Sequence, residues 1–262
     1  MYHRKTPKSQ EAYKSIYTAY NPHTIDLTHR VNSNKIRIIS VDPGISNFCI
    51  RVEERGIKDY IPIKTLLFDK MHLRRDEVEL TDDLICQYYT TLNNYLDDRL
   101  DLFKTCDMVI VEKQLPINYK AVRISQHVIT YFMVHLKNIP SLPIIFEIDP
   151  KLKGRELGAS SHLNSKGLKH WAVEEATKLL TIRNDQHGIE VLRKNKKKAD
   201  DLADTVCQIE AFFSFKGWPL SRELPKINII PISKPIVTAT KIETKIEIEE
   251  KIQQPLKLNL VG

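Results

Sequence analysis

Apolar and polar positions along this 262-residue chain change period several times, and each change marks an element. Ile36-Arg37-Ile38-Ile39-Ser40-Val41 is rich in β-branched residues and closes on Asp42-Pro43-Gly44, which predicts a buried strand over 36–42 that ends at a turn. Pro43 removes a ladder donor and Gly44 permits the tight turn. Phe48 to Val52 and Tyr60 to Phe68 read as the next two strands of a hairpin-based sheet. From 80 to 104, Leu80, Leu84, Ile85, Tyr88, Leu92, Tyr95 and Leu96 recur every three to four residues, the period of a helix. Asp107 to Glu112 is a further short apolar run, and Val122, Ile124, Val128, Ile129, Phe132 and Met133 set a broad apolar face on a helix over 120–137. Pro143 to Ile148 is the last strand. A polar loop over 151–163, a helix over 165–181 and a core helix over 199–213 follow it. Strands that alternate with helices in this way predict an α/β sheet.

The pattern weakens at both ends. Residues 1–34 form a basic extension, with Arg4, Lys5, Lys8, Lys14 and Arg30 against Glu11 and Asp26, and with Tyr13, Tyr17 and Tyr20 at helical spacing. After Trp218, Pro219, Pro225, Pro231 and Pro235 recur, followed by the alternating stretch Lys241 to Glu250. Repetitive composition with no turn or partner strand nearby predicts a weakly ordered tail over 219–262. The core domain is therefore expected over 35–218.

Two of the predicted strands end in an acid: Asp42 closes the first and Glu112 the fourth. Ligands of open α/β sheets gather outside the carboxyl ends of strands, so two such acids can stand side by side there. Further on, Lys196-Lys197-Lys198-Ala199-Asp200-Asp201-Leu202-Ala203-Asp204 puts acids three and four residues apart, on one face of a helix. Like charges so placed destabilise a helix unless neighbouring lysines or a bound cation neutralise them. Asp42, Glu112, Asp201 and Asp204 together make a set of oxygen donors suited to magnesium, a hard cation often shared with substrate phosphates. A pair of such ions about 4 Å apart suits phosphodiester hydrolysis.

Val41-Asp42-Pro43-Gly44, Val111-Glu112-Lys113-Gln114 and Lys198-Ala199-Asp200-Asp201-Leu202-Ala203-Asp204, in that order, resemble the Holliday junction resolvases of the RuvC type. Among these the poxvirus-type resolvases of large DNA viruses are the most similar. The resemblance spans Lys35 to Phe213. It implies a ribonuclease H-like fold, a mixed five-stranded sheet flanked by helices. Asp42 and Glu112 then take the first two acid positions, and Asp201 and Asp204, three apart, take the last two, with Asp200 an additional acid beside them. The family also carries a lysine near the scissile phosphate, after the strand that follows the glutamate. Here that implies Lys153, with Lys151 the next candidate. Two magnesium ions per site (manganese as a substitute), paired symmetric nicks leaving 5′-phosphate and 3′-hydroxyl ends, and a two-fold homodimer on four-way DNA junctions are implied in the same way.

Composition adds to this picture. The net charge of +7 suits a polyanionic partner, and the cations cluster: Lys151, Lys153 and Arg155, then Arg193, Lys194, Lys196, Lys197 and Lys198. Lys151, Arg155, Lys196, Lys197 and Lys198 are the expected DNA contacts. Cys49, Cys86, Cys106 and Cys207 show no paired spacing, which argues against a zinc site or a disulfide framework and for a reducing, intracellular compartment. By the viral likeness, that compartment is the site of viral DNA replication in a host cell. No apolar run reaches the roughly 18 residues of a membrane span, and the N-terminus lacks the apolar stretch of a secretory signal.

Three other functions compete with a junction resolvase. They are a ribonuclease H-fold nuclease acting on RNA–DNA hybrids or forks, a non-catalytic branched-DNA binding module, and an actin-like phosphotransferase. The last needs a second glycine-rich phosphate loop, which a chain of eight glycines does not display. All four acids are present, which disfavours the second.

Overall fold

The computed structural model describes residues 34–57, 63–73, 85–138 and 143–221. The expectations for 1–33, for 60–62 of the third strand, for 80–84 at the start of the first helix and for the tail beyond 221 lie outside these residues. The described residues form strands β1 (Lys35–Asp42), β2 (Phe48–Gly56), β3 (Lys64–Met71), β4 (Met108–Glu112) and β5 (Ile144–Ile148). Helices α1 (Ile85–Asp97), α2 (Leu100–Phe103) and α3 (Tyr119–His135) precede β5, and α4 (Lys151–Leu157), α5 (Ser165–Ile182), α6 (Gln186–Lys194) and α7 (Ala199–Lys216) follow it.

The strands form one sheet in the order β3-β2-β1-β4-β5. β2 runs antiparallel to both β1 and β3, whereas β4 is parallel to β1 and β5 parallel to β4. This mixed five-stranded sheet flanked by helices is the ribonuclease H-like arrangement. Its two faces follow from the period of two along each strand. Ile36, Ile38, Met108 and Ile110 pack on one side with Leu152 of α4, Ala176 of α5 and Leu202 and Val206 of α7. Ile39, Val41, Val109 and Val111 pack on the other side with Leu92 of α1, Phe103 of α2 and Val128 and Phe132 of α3.

Helix α7 lies deep: apart from Asp204, every residue from Leu202 to Phe213 is buried, because the helix runs between the sheet and α5. The core helix expected over 199–213 is observed as α7 over Ala199–Lys216, although a helix covered all round carries little polar stripe. Three corrections arise. Residues 151–157 are helix α4 and not loop: the Asp149 carboxylate accepts from the Lys151 backbone N–H at 2.8 Å, Leu152 and Leu157 are buried, and Gly158 ends the helix at φ 82°. Helix α6, between 182 and 198, had no predicted counterpart, although Asp185 caps it by accepting from the Gly188 N–H at 2.8 Å. The broad apolar side of α3 is mostly buried: Val128 and Phe132 fill the core, and of the six apolar residues named for it only Met133 is well exposed.

β2 runs to Gly56, past the predicted end at Val52, and carries buried charges on the α7 side. Arg51 pairs with Glu53 and with Asp185 of the α6 cap, and Arg183 bridges Glu53 and Glu210. Arg55 reaches Glu210 at 2.8 Å with its guanidinium 3.9 Å above the Phe213 ring. Ser221 completes the cluster: its backbone N–H donates to Glu210 at 2.7 Å, and its hydroxyl accepts from Arg183 at 2.8 Å. The packed chain thus continues three residues beyond the expected boundary at 218, because Leu220 and Ser221 are buried.

Candidate active site

The two strand-end acids meet by register and parity. β1 and β4 pair in parallel with Val41 opposite Val111, so Asp42 and Glu112 are the next residues on neighbouring strands. Each also continues the alternate positions (Ile36, Ile38; Met108, Ile110) that face α7, so both acids look toward that helix. Asp204 stands on the facing side of α7, and its charge and that of Glu112 both act on Asp42. Gly44 forms the turn beyond β1, where a Cβ would lie 2.9 Å from the Asn47 carbonyl oxygen.

Lys153 sits among these acids. α4 leaves the end of β5 and sends its ammonium to Glu112 Oε2 at 2.8 Å and to Asp204 Oδ2 at 2.6 Å. Burial opposes the lysine's charge, but Asp204, Glu112 and Asp42 outweigh it and raise its pKa. Burial, then repulsion from Glu112 and Asp204, holds the Asp42 carboxyl well above the ordinary carboxylate range. Burial also pushes Asp204 up to about 6, with Lys153 opposing the shift and Glu112 adding to it. Asp201 is raised too, by burial and by its neighbour Asp200. Lys153 inside the cluster, with Lys169, Lys198 and Lys70 acting on Asp201, does not offset the burial and mutual repulsion that raise the Asp42, Asp201 and Asp204 pKa values.

The donor chemistry suits a hard cation, since the four groups are carboxylates on strand ends and on α7, but their arrangement around Lys153 is not that of a closed ligand shell. Among the described residues no three acids, histidines or cysteines converge at ligand distance. The Lys153 ammonium occupies the gap between Glu112 and Asp204.

The acid pair on α7 separates as its spacing implies. Asp200 turns to α5, where Lys169 binds its Oδ2 at 2.5 Å, whereas Asp201 acts on Asp42. Asp201→Asn is expected to remove cleavage, while Asp200→Asn retains most of it. An inactive Asp200→Asn beside an active Asp201→Asn would place the site one residue earlier on the helix.

Two site residues are missing from the sequence reading. Gln208 donates from Nε2 to Glu112 Oε2 at 2.6 Å, and Ser40 donates from Oγ to Gln208 Oε1 at 2.8 Å. Both are buried, so this chain orients the glutamate from behind. Gln208 lies one turn after Asp204 on the face that Asp201 begins, a spacing that could have revealed it. The expected DNA-contacting residues divide into two groups. Lys151 and Arg155 line a cleft of about 570 Å³ whose lining also includes Lys153 and Asp204. Lys196 and Lys197, on a single 3₁₀ turn, line a second cleft, and Lys169 borders both. Lys198 instead lies close enough to Asp201 to oppose the rise in its pKa, and Arg193 is paired with Glu190 at 2.7 Å.

No family model matches the chain. Two curated relatives do: the uncharacterized protein 97L of Invertebrate iridescent virus 3 is 31% identical over 130 residues, half of this chain. The uncharacterized protein 170L of Invertebrate iridescent virus 6 is 24% identical over 143 residues, or 47% of it. The chain spans 57% of the length of each relative. Among solved structures, Thermus thermophilus RuvC is 16% identical with a TM-score of 0.45, over 70% of this chain and 98% of that one. The same protein in complex with a Holliday junction substrate scores 0.42, at 16% identity over 70% and 96%. The yeast mitochondrial Holliday junction resolvase Ydc2 is 12% identical and scores 0.49, over 70% and 81%. The strand order and directions described above identify the ribonuclease H-like fold of this chain.

Proposed function

We propose that this protein is a magnesium-dependent endonuclease that cuts branched DNA, four-way junctions foremost. The observation that carries this reading is the gathering of Asp42, Glu112 and Asp204 around Lys153 at the carboxyl ends of parallel strands, with Asp201 beside them. Asp42, Glu112, Asp201 and Asp204 would hold two divalent cations. When bound, such a pair supplies an activated water and stabilises the leaving oxygen. Lys153, already inside the acid cluster, offsets negative charge that builds on the phosphate. Gln208 and Ser40 keep the Glu112 carboxylate turned toward the site. The two curated relatives are viral proteins. Host-cell sites of viral DNA replication are the proposed location.

Incubation with magnesium and a synthetic four-way junction, beside duplex and RNA–DNA hybrid controls, tests the reading. Paired symmetric nicks in the junction are expected. Cutting confined to the hybrid would replace it with a ribonuclease.

Affinity for the junction arises from cations that meet phosphates, with binding falling by about 0.9 in log K per log salt for each contact. Replacing Lys196 and Lys197 together by alanine should weaken junction binding and flatten that slope by roughly 2. An unchanged slope would remove these lysines from the DNA path. Junction symmetry also calls for a two-fold dimer. Light scattering with junction DNA should give two protein chains per junction. One chain per junction with paired nicks would refute the dimer and leave the chemistry intact.

A further inference from the structure

We infer that the cleft beside Asp204 receives one unstacked nucleobase of the strand being cut, so that the protein reads the DNA next to the scissile phosphate. This rests on the nuclease reading above. The cleft measures about 570 Å³ and continues directly into the acid cluster, since Asp204 forms part of its wall. Its size falls within the roughly 300–1,000 Å³ of sites that take small organic groups.

The lining is divided by chemistry. Ala159, Leu168 and Trp171 give it an apolar floor. The indole is half-buried and packs inward on the core of Leu179 and Val206, while Leu168 is 41% exposed. Lys151 and Arg155 stand exposed on the rim. Ser160, Ser161 and Lys169 also line the cleft and can serve a phosphate, whereas the apolar floor with its indole suits a base, which always offers a π face to stack. Rim cations match the backbone that must enter with that base. At a branch point the stack is already interrupted, so moving a base out costs least there. A phosphate held at Asp204 and Lys153 places the adjoining nucleotide at the mouth of this cleft.

Trp171 and Trp218 are the only tryptophans of the chain. Trp218→Phe therefore makes Trp171 the sole indole reporter. A metal-free titration with a four-way junction should quench its emission by about half, with the same midpoint as the anisotropy of the labelled DNA. An abasic nucleotide moved stepwise through the branch should abolish the quench at one position only. Trp171→Ala is expected to weaken junction binding by roughly 5- to 150-fold, the range for losing one stacked base, and Trp171→Phe to restore most of it. If Trp218→Phe does not fold, the difference in quench between the native chain and Trp171→Phe reports the same contact. Junction binding without a change in emission, or a quench that survives every abasic position, overturns the inference and leaves the nuclease reading standing. Absence of junction binding overturns both.

Discussion

Asp42→Asn and Glu112→Gln should each lower cleavage of a four-way junction by at least about a thousandfold while junction affinity stays within a few-fold. Each carboxylate lies at the end of a strand in the centre of the sheet and faces α7. Losing one donor removes the several kcal/mol of charge stabilisation that a cation supplies in the transition state, which is the stated loss in rate. On the proposed reading affinity comes instead from Lys151, Arg155, Lys196 and Lys197, all exposed and outside the acid cluster. Gel shifts and single-turnover cleavage measured on the same preparations separate the two. Near-native cleavage by either variant would sink the carboxylate site as the seat of chemistry.

The same acids should make the metal-free protein less stable than it could be. Burial first, and then Glu112 and Asp204, hold the Asp42 pKa above its value in the unfolded chain. A carboxyl raised on folding contributes its full stability below the unfolded pKa and loses it as pH rises through the folded one. Asp204, held at about 6 against a usual 3.8, acts in the same direction between those values. Without divalent cations at pH 7.5, Asp42→Asn should therefore raise Tm, because the buried, repelled carboxylate is replaced by a neutral amide of the same shape. The gap should close as pH falls through the raised Asp42 value, where the native carboxyl is neutral as well. Magnesium should raise Tm of the native chain more than that of the variant. Equal melting at pH 7.5, with no response to magnesium in either protein, would contradict an uncompensated acid cluster.

Much of this was legible in the residues themselves. β-branched runs ending in Asp42 and Glu112 marked the two strands that matter, and the three-residue spacing of Asp201 and Asp204 marked the helix face opposite them. Parity then brings them together, because Asp42 follows Ile36 and Ile38 on the side where α7 packs. What escaped was structure whose cause lies far along the chain. The predicted strand stops at Val52, yet β2 continues and Arg51, Glu53 and Arg55 are buried because Arg183, Asp185 and Glu210 meet them. α4 looked like a loop since its glycine and charges hide two buried leucines. Gln208 carried no charge to draw the eye, although it touches Glu112.

The buried ion pairs of β2 also bear on the order in which the molecule can assemble. Arg51 and Glu53 leave the ribosome some 130 residues before Asp185 and Arg183, and Glu210 and Ser221 come later still. Until those partners emerge, closing the α7 side of the hairpin formed by β1 and β2 would trap unpaired charges, which costs several kcal/mol per ion. The nascent sheet is thus kept open by its own arginines, and the final collapse waits for the end of the domain to be made. Contacts of such long separation slow folding and leave an exposed sheet for chaperones to guard in the meantime. The charges that look out of place in the finished core act during synthesis as a check against closing too early.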